Sequence, residues 1–287
     1  MSEMPVSIRP AYSNDSEAIR RLLQTVRRVC VRFGFEDLPQ MIAQEGCFVA
    51  ENETGLVGFL CATVWHDDLA YVRGLALGDG RPTETVLAGL LHAVETAFRS
   101  RGIQHVMHLG LEPWSVTALQ AQAFVIADYI VNYERKISPT PLLPLYESKW
   151  ALLRTPAWAE LGDLLALDHR IFAWPWRFSA AELTELFMLS SRLVALEFQG
   201  LLVGYACTDV RGEQAQIIRL AVDPLYQGMG LGRHLLADAL DFAGEMGAKT
   251  VLLNTQWQNQ ASRRLYQGFG FRPVGRRIPV LIKAIAP

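Results

Sequence analysis

The chain repeats itself. Leu56-Val57-Gly58-Phe59-Leu60-Cys61 returns 146 residues later as Leu202-Val203-Gly204-Tyr205-Ala206-Cys207, and Leu75-Ala76-Leu77 returns at an offset of 145 as Leu220-Ala221-Val222. At that second offset Gly102 falls on Gly247, Gln122 on Gln267, Phe124 on Phe269 and Arg9 on Arg154. A near-constant offset over residues of such different chemistry is more than apolar coincidence. A period this long means duplicated domains, not a solenoid, and 287 residues suffice for two of them.

Both copies read in the same order. A short strand (Val6 to Arg9; Ala151 to Arg154) precedes helical stretches (Asp15 to Phe33; Trp158 to Phe172). A hairpin turning at Gly55 or Gly200 follows, then a strand, a long helix (Thr85 to Arg99; Leu231 to Met246), another strand, a short helix and a last strand. This order predicts an α/β fold of the α+β kind, with helices packed on a mixed, mostly antiparallel sheet. Three prolines within Ser138 to Pro144 suit an extended connector. The expected division is a first domain over 1–140, a linker over 141–149 and a second domain over 150–287.

The net charge of −2 leaves no basic footprint for nucleic acid, and no Lys/Arg run suggests an anionic membrane. No apolar stretch reaches spanning length, and Met1 to Pro5 lacks a signal pattern. Cys30, Cys47, Cys61 and Cys207 are scattered without C-x-x-C, which argues against a disulfide framework or zinc site and fits a cytoplasmic protein. His105 and His108, three apart on an apparent strand, point to opposite faces, so no metal site is expected.

The densest glycine pattern is Gln227-Gly228-Met229-Gly230-Leu231-Gly232-Arg233, between the strand end Leu220-Ala221-Val222-Asp223-Pro224 and a helix-period run. Glycines at a helix start let backbone N–H groups converge on an anion, which the helix dipole also favours. The spacing is neither a nucleoside-triphosphatase loop nor a dinucleotide fingerprint: no lysine ends it, and the next strand ends in Asn254 rather than an acid. It resembles the Gln/Arg-x-x-Gly-x-Gly/Ala pyrophosphate loop of the GNAT superfamily of N-acetyltransferases. The resemblance implies acetyl-CoA as co-substrate, held by Gln227 to Arg233, with backbone groups of Leu220, Ala221 and Val222 along the pantetheine arm. In the first copy Gly228, Gly230 and Gly232 fall opposite Thr83, Thr85 and Leu87. Side chains there would keep a pyrophosphate off the backbone, so the first copy is expected to be degenerate and to bind no CoA.

Asn259 to Phe271 extends the resemblance: the family's Asn, its Tyr seven residues later and its Gly-Phe match Asn259, Tyr266 and Gly270-Phe271, with Ser262 in the usual Ala slot. The family implies that Asn259 contacts CoA and that Tyr266 donates a proton to the departing thiolate. Many relatives carry a glutamate base where this chain has Ile218 or Asn254; Glu213 and Asp209 remain as remote candidates. Lack of a strong base favours an acceptor amine of low pKa, such as an N-terminal α-amine.

Phe172-Ala173-Trp174-Pro175-Trp176 looks like the Phe-x-x-Pro-Trp loop of ribosomal-protein alanine N-acetyltransferases. It suggests Phe172, Trp174, Trp176, Asn254 and Trp257 as acceptor contacts. The run Arg272 to Pro279 leaves no room for the longer hairpin of those enzymes. The tandem layout with one decayed copy also resembles mycothiol synthase. Three functions therefore stand: acetylation of a peptide or protein α-amine, acetylation of a small-molecule amine, or acyl-CoA sensing without chemistry.

Overall fold

The computed structural model describes residues 5–43, 46–66, 68–79, 83–137 and 151–286. Packing divides the chain into two compact units, Met1–Tyr129 with Ile278–Pro287, and Ile130–Arg277. In chain order the main elements are β1 (Ser7–Pro10), α1 (Ser16–Thr25), β2 (Arg28–Val31), α2 (Leu38–Ile42), β3 (Cys47–Asn52), β4 (Gly55–His66), β5 (Leu69–Leu77), α3 (Thr83–Arg99), β6 (His105–Leu109), α4 (Pro113–Gln120) and β7 (Val125–Lys136). The second repeat supplies β8 (Ala151–Arg154), α5 (Leu161–Ile171), α6 (Ala180–Leu189), β9 (Arg192–Phe198), β10 (Leu201–Arg211), β11 (Gln214–Val222), α7 (Leu231–Glu245), β12 (Thr250–Gln256), α8 (Gln260–Gly268) and β13 (Arg272–Ala284).

The duplication persists at the level of single side chains. Arg9 holds Asp15 and Glu51, and its counterpart Arg154 holds Glu160 and Glu197. Each clamp ties the first strand to the next helix turn and to the hairpin. The hairpins share a defect as well. A register shift at Cys61/Ala62 leaves Arg73 without a partner on β4, and one at Cys207/Thr208 leaves Ile218 without a partner on β10. Such a bulge bends the strand and turns a side chain out of alternation. Past it, the parallel pairing to the next strand stops, after Tyr71–Met107 in one copy and Ile217–Leu253 in the other.

The units and the sequence repeats differ by an exchange of last strands. Residues 130–136 of β7, from the first repeat, pair antiparallel with β12 in the second unit. Residues 280–284 of β13, from the second repeat, pair with β6 in the first. Periodicity identifies a terminal strand but not the sheet that receives it, so the expected boundaries kept each strand at home. The expected linker at 141–149 lies outside the described residues. The core of the second unit includes Val131 and Tyr133 from the received strand, alongside Ile217, Leu236, Leu253, Tyr266 and Phe271.

Two further expectations are corrected. The helical stretch over Asp15 to Phe33 ends at Thr25, and Arg28–Val31 is a strand pairing antiparallel with Gly74–Leu77. Val26, Val29 and Val31 explain the change, since β-branched side chains lose rotamer freedom in a helix and fit a pleated surface. Cys47 and Cys61, 14 residues apart, are joined as a disulfide, because the β3–β4 register sets them directly opposite. Among the described residues no helix is long and apolar enough to cross a membrane.

The exchange generates a prediction. A fragment cut at the repeat boundary, 151–287, lacks Val131 and Tyr133 and bares an edge of β12, whereas 130–277 keeps both. Each lost apolar side chain is worth about 1.5–3 kcal/mol, on a total stability of roughly 5–15 kcal/mol. The 130–277 fragment should give a cooperative thermal transition by circular dichroism, and 151–287 should not.

Candidate active site

The second unit contains a cavity of about 450 Å³ where β11 and β12 part. The two strands are paired only over Gln214–Ile217 and Thr250–Leu253. Beyond that point Arg219, Leu220 and Val222 border one side, and Asn254 to Gln256 the other. The α7 face of the sheet closes the cavity with the glycine loop and with α8. The α5 face closes it with Ile171 and Phe172.

The loop is built for backbone exposure. Gly228 and Gly230 have φ of +80° and +82°, the left-handed region that L side chains rarely occupy. Gly230 is the N-cap of α7. The Arg233 and His234 N–H groups turn back to the Gly230 carbonyl, so those of Leu231 and Gly232 have no intrahelical partner. At Gly232 a Cβ would stand 3.4 Å from Leu265 and 3.9 Å from Val222, ordinary contact distances, so packing alone does not demand glycine there. The Gln227 side chain donates to the Val222 carbonyl at 3.0 Å and fastens the loop to the end of β11. Unpaired N–H groups, a helix N-terminus and the exposed Arg233 at its first turn fit a pyrophosphate.

On the α8 side, the Asn259 Oδ1 caps the helix by accepting from the Ser262 N–H at 3.0 Å. Its amide group remains available at the cavity wall. Tyr266 is 5% exposed and packs against Tyr133 and Phe271, with ring centroids 6.0 Å away in each case. Burial pushes its phenol up to about 12, a bond to Ser262 opposing the shift.

Nine of the eleven residues expected along the cofactor border the cavity. Ala221 is buried on the α5 face of the sheet, and Met229 is exposed beside the loop. Of the expected acceptor contacts, Phe172 and Asn254 border it; Trp174, Trp176 and Trp257 do not. The Trp257 ring lies between the Arg263 and Arg277 guanidinium groups, 3.6 and 3.3 Å from its centroid. The two remote acids are committed elsewhere. Glu213 pairs with Lys249, and Asp209 accepts from Ser191 and Arg211. Among the described residues the cavity lining holds no Asp, Glu or His.

What sequence reasoning missed is the group that shapes the α5 side. Asp168, 0% exposed, accepts from the Arg219 Nε at 2.9 Å and Nη2 at 2.5 Å, from the Tyr205 hydroxyl at 2.5 Å and from the Phe178 N–H at 2.8 Å. The Arg219 Nη2 also donates to the Trp176 carbonyl at 2.8 Å. Its guanidinium carbon lies 3.5 Å from the Phe172 ring centroid and 3.8 Å from that of Phe178. One arginine thus bolts the whole 172–178 segment to β11. Asp168 and Arg219 are 51 residues apart, and no local pattern links them.

The first unit shows the alternative. At the offset of 145, Arg219 falls on Gly74 and Phe178 on Phe33, while residues 173–176 fall on β2. β4 pairs with one edge of β5 as far as Leu77, so β2 must take the other edge, the one that borders the cavity in the second unit. A Cβ at Gly74 would stand 2.8 Å from the Phe33 ring. Glycine there admits the closing segment, whereas the second unit has an arginine. Pro175 also denies its segment a backbone donor for a strand. In the first unit α3 starts at Thr83, so the positions opposite Gly228 and Gly230 are helical, and Arg28 of β2 donates to the Thr83 hydroxyl at 3.2 Å. Residues 80–82 of that counterpart loop lie outside the described residues.

The acetyltransferase (GNAT) family model matches residues 158–271. N-alpha-acetyltransferase RimI of Mycobacterium tuberculosis is 37% identical over 125 residues, covering 42% of this chain and 77% of that protein. A mycothiol acetyltransferase of Thermomonospora curvata is 27% identical over 183 residues, covering 60% of this chain and 61% of that one. An uncharacterized protein of Mycobacterium leprae is 30% identical over 158 residues, covering 49% of this chain and 43% of its own length. Among solved structures, a GCN5-related N-acetyltransferase from Sphaerobacter thermophilus superposes with a TM-score of 0.70 at 14% identity, over 99% of this chain and 98% of that one. A tandem GNAT protein from the clavulanic acid biosynthesis pathway gives 0.63 at 16%, over 99% of both chains. These two likenesses extend the shared fold over both repeats.

A substitution tests the loop. Gly230→Val forces a β-branched residue into a left-handed conformation at the helix start. Calorimetric affinity for CoA should fall at least about tenfold, with the far-ultraviolet spectrum unchanged.

Proposed function

Because this chain belongs to the GNAT family of acetyltransferases, we propose that its second unit transfers acetyl from acetyl-CoA to an amine of low pKa, an N-terminal α-amine being the best fit. The observation that carries this reading is the cavity itself: a glycine loop and a buried tyrosine on one sheet face, Ile171 and Phe172 on the other, and no Asp, Glu or His among the described residues that line it. Gln227 to Arg233 would hold the pyrophosphate, and Asn259 and the backbone of Leu220 to Val222 the pantetheine arm. The bound co-substrate supplies an activated thioester.

The chain's own residues then do three things. Past Ile217 the strands part, and the β12-facing edge of β11 along Leu220 to Val222 has no strand partner, so its N–H groups can polarise a carbonyl. Phe172 excludes water from the acceptor side. Tyr266 presents its hydroxyl to the leaving sulfur. A phenol near 12 is roughly three units less acidic than an ordinary thiol, so its hydrogen bond, rather than completed proton transfer, stabilises the departing thiolate at the barrier. The amine must arrive neutral; its nitrogen bonds the thioester carbon as the C–S bond breaks, CoA leaves as the thiolate, and the proton shed by the nitrogen passes to water. An α-amine of pKa about 8 is roughly a fifth neutral at pH 7.4, and a lysine amine on the order of a thousandth.

A second reading, acetylation of a small-molecule amine, draws on the similarity to the mycothiol acetyltransferase and on the tandem architecture. A panel of amines scored by CoA release separates the two. Preference for lysine side chains in N-terminally blocked peptides over free N-termini would sink the low-pKa reading.

Two outcomes are expected. Tyr266→Phe should lower kcat about a hundredfold or more while leaving the Kd for acetyl-CoA within about twofold. With Tyr266 protonated throughout and no base in the lining, kcat/KM should rise with pH, reflecting the acceptor's neutral fraction, and level near its pKa of about 8. No descending limb should appear below about pH 11.

A further inference from the structure

The cavity opens onto both faces of the sheet, and the proposed cofactor uses one of them. Leu220 and Val222 pack with Leu231 and Leu235 on the α7 face. Ala221 packs with Tyr205, Cys207 and Leu164 on the α5 face. Arg219 lies opposite Cys207 and two residues before Ala221, so it belongs to the α5 face, away from the glycine loop.

Its hydrogen bonds are unevenly used. Nε serves Asp168 and the Tyr205 oxygen, and Nη2 serves Asp168 and the Trp176 carbonyl. Nη1 makes no hydrogen bond among the described residues, and it is not a buried unpaired atom. Phe172 and Phe178 cover both flat faces of the guanidinium. Arg219 borders the cavity although its side chain is only 11% exposed, so the Nη1 edge is the part left to face a ligand. It offers two N–H donors in a fixed plane, on a cation already balanced by buried Asp168. Such a pair suits a neutral oxygen better than a second anion.

We infer that Arg219 is the acceptor-recognition residue of this site, donating through Nη1 to a carbonyl oxygen adjacent to the reacting amine, as in an α-aminoacyl group. The assignment rests on the transfer reading above and narrows it: the acceptor carries a carbonyl one carbon away from its amine. Arg219 moves no proton in this scheme. It fixes which amines are presented to the thioester.

The test compares L-alaninamide with isopropylamine, which lacks the carbonyl, in the full-length protein and in Arg219→Lys and Arg219→Met. The ratio of wild-type to variant kcat/KM for each amine cancels the difference in amine pKa. Arg219→Lys keeps a cation beside Asp168 and so guards against misfolding, and acetyl-CoA affinity by calorimetry reports whether each variant retains its site. The expected result is a loss of about tenfold to a hundredfold for L-alaninamide, carried by KM. The loss for isopropylamine measures the damage done by loosening the 172–178 segment, and in each variant it should be smaller than the L-alaninamide loss by about tenfold. Equal losses for both amines would make Arg219 a purely structural bolt and overturn the assignment. So would full activity of both variants on L-alaninamide. If wild type binds acetyl-CoA but acetylates neither amine nor any other in the panel, the transfer reading itself fails and this assignment falls with it.

Discussion

The cavity of the second unit depends on one buried ion pair. Asp168 sits inside a helix at 0% exposure, where an unpaired carboxylate would be untenable. Arg219 pairs with it from β11, across 51 residues of chain, and the same guanidinium holds the Trp176 carbonyl and both flanking phenylalanines. Removing one partner of such a pair typically destabilises by about 3–5 kcal/mol, because the other is left buried and alone. The 172–178 segment is thereby kept out of the gap between β11 and β12. Every other feature of the site, including the β11 edge that β12 leaves past Ile217, presumes that this gap stays open.

The first unit shows what happens without the pair. Its counterpart of Arg219 is Gly74, its counterpart of Asp168 is Leu23, and the segment after its first helix joins the sheet as β2. The bulge and the early end of parallel pairing are kept in both copies, so the splay belongs to the fold. Whether the gap is filled or left open is decided by the segment that follows α1 or α5. In the first copy valines form a strand over a glycine; in the second, a proline and stacked aromatics sit on an arginine. The same architecture thus yields a β5 edge taken by β2 in one copy and a β11 edge bordering a cavity in the other.

Much of this was legible from local pattern. The glycine loop, Asn259 and Tyr266 are short-range signals, with spacings dictated by one helix start or one helix turn, and they converge on the cavity as their order implied. The duplication was legible because offsets survive divergence. Less visible were features made by distant partners. Asp168, Tyr205 and Arg219 look like an ordinary helix acid, a strand aromatic and a strand arginine until the β10–β11 register brings them together. The Cys47–Cys61 pair likewise needed the β3–β4 register. The strand exchange leaves no trace in periodicity, because a strand's own residue pattern marks which side chains are buried and not which sheet receives it. β2 was hidden by the apparent continuity of a helical pattern over Asp15 to Phe33, which the valines at 26, 29 and 31 should have broken.

In the proposed function one copy of a duplicated fold keeps its strand edge open for the co-substrate, while in the other copy β2 takes the corresponding edge. Isothermal titration of the full-length protein with acetyl-CoA tests it most directly. One equivalent should bind per chain. Two equivalents would show that β2 does not close the first cleft, and no binding would show that the glycine loop is not a cofactor site.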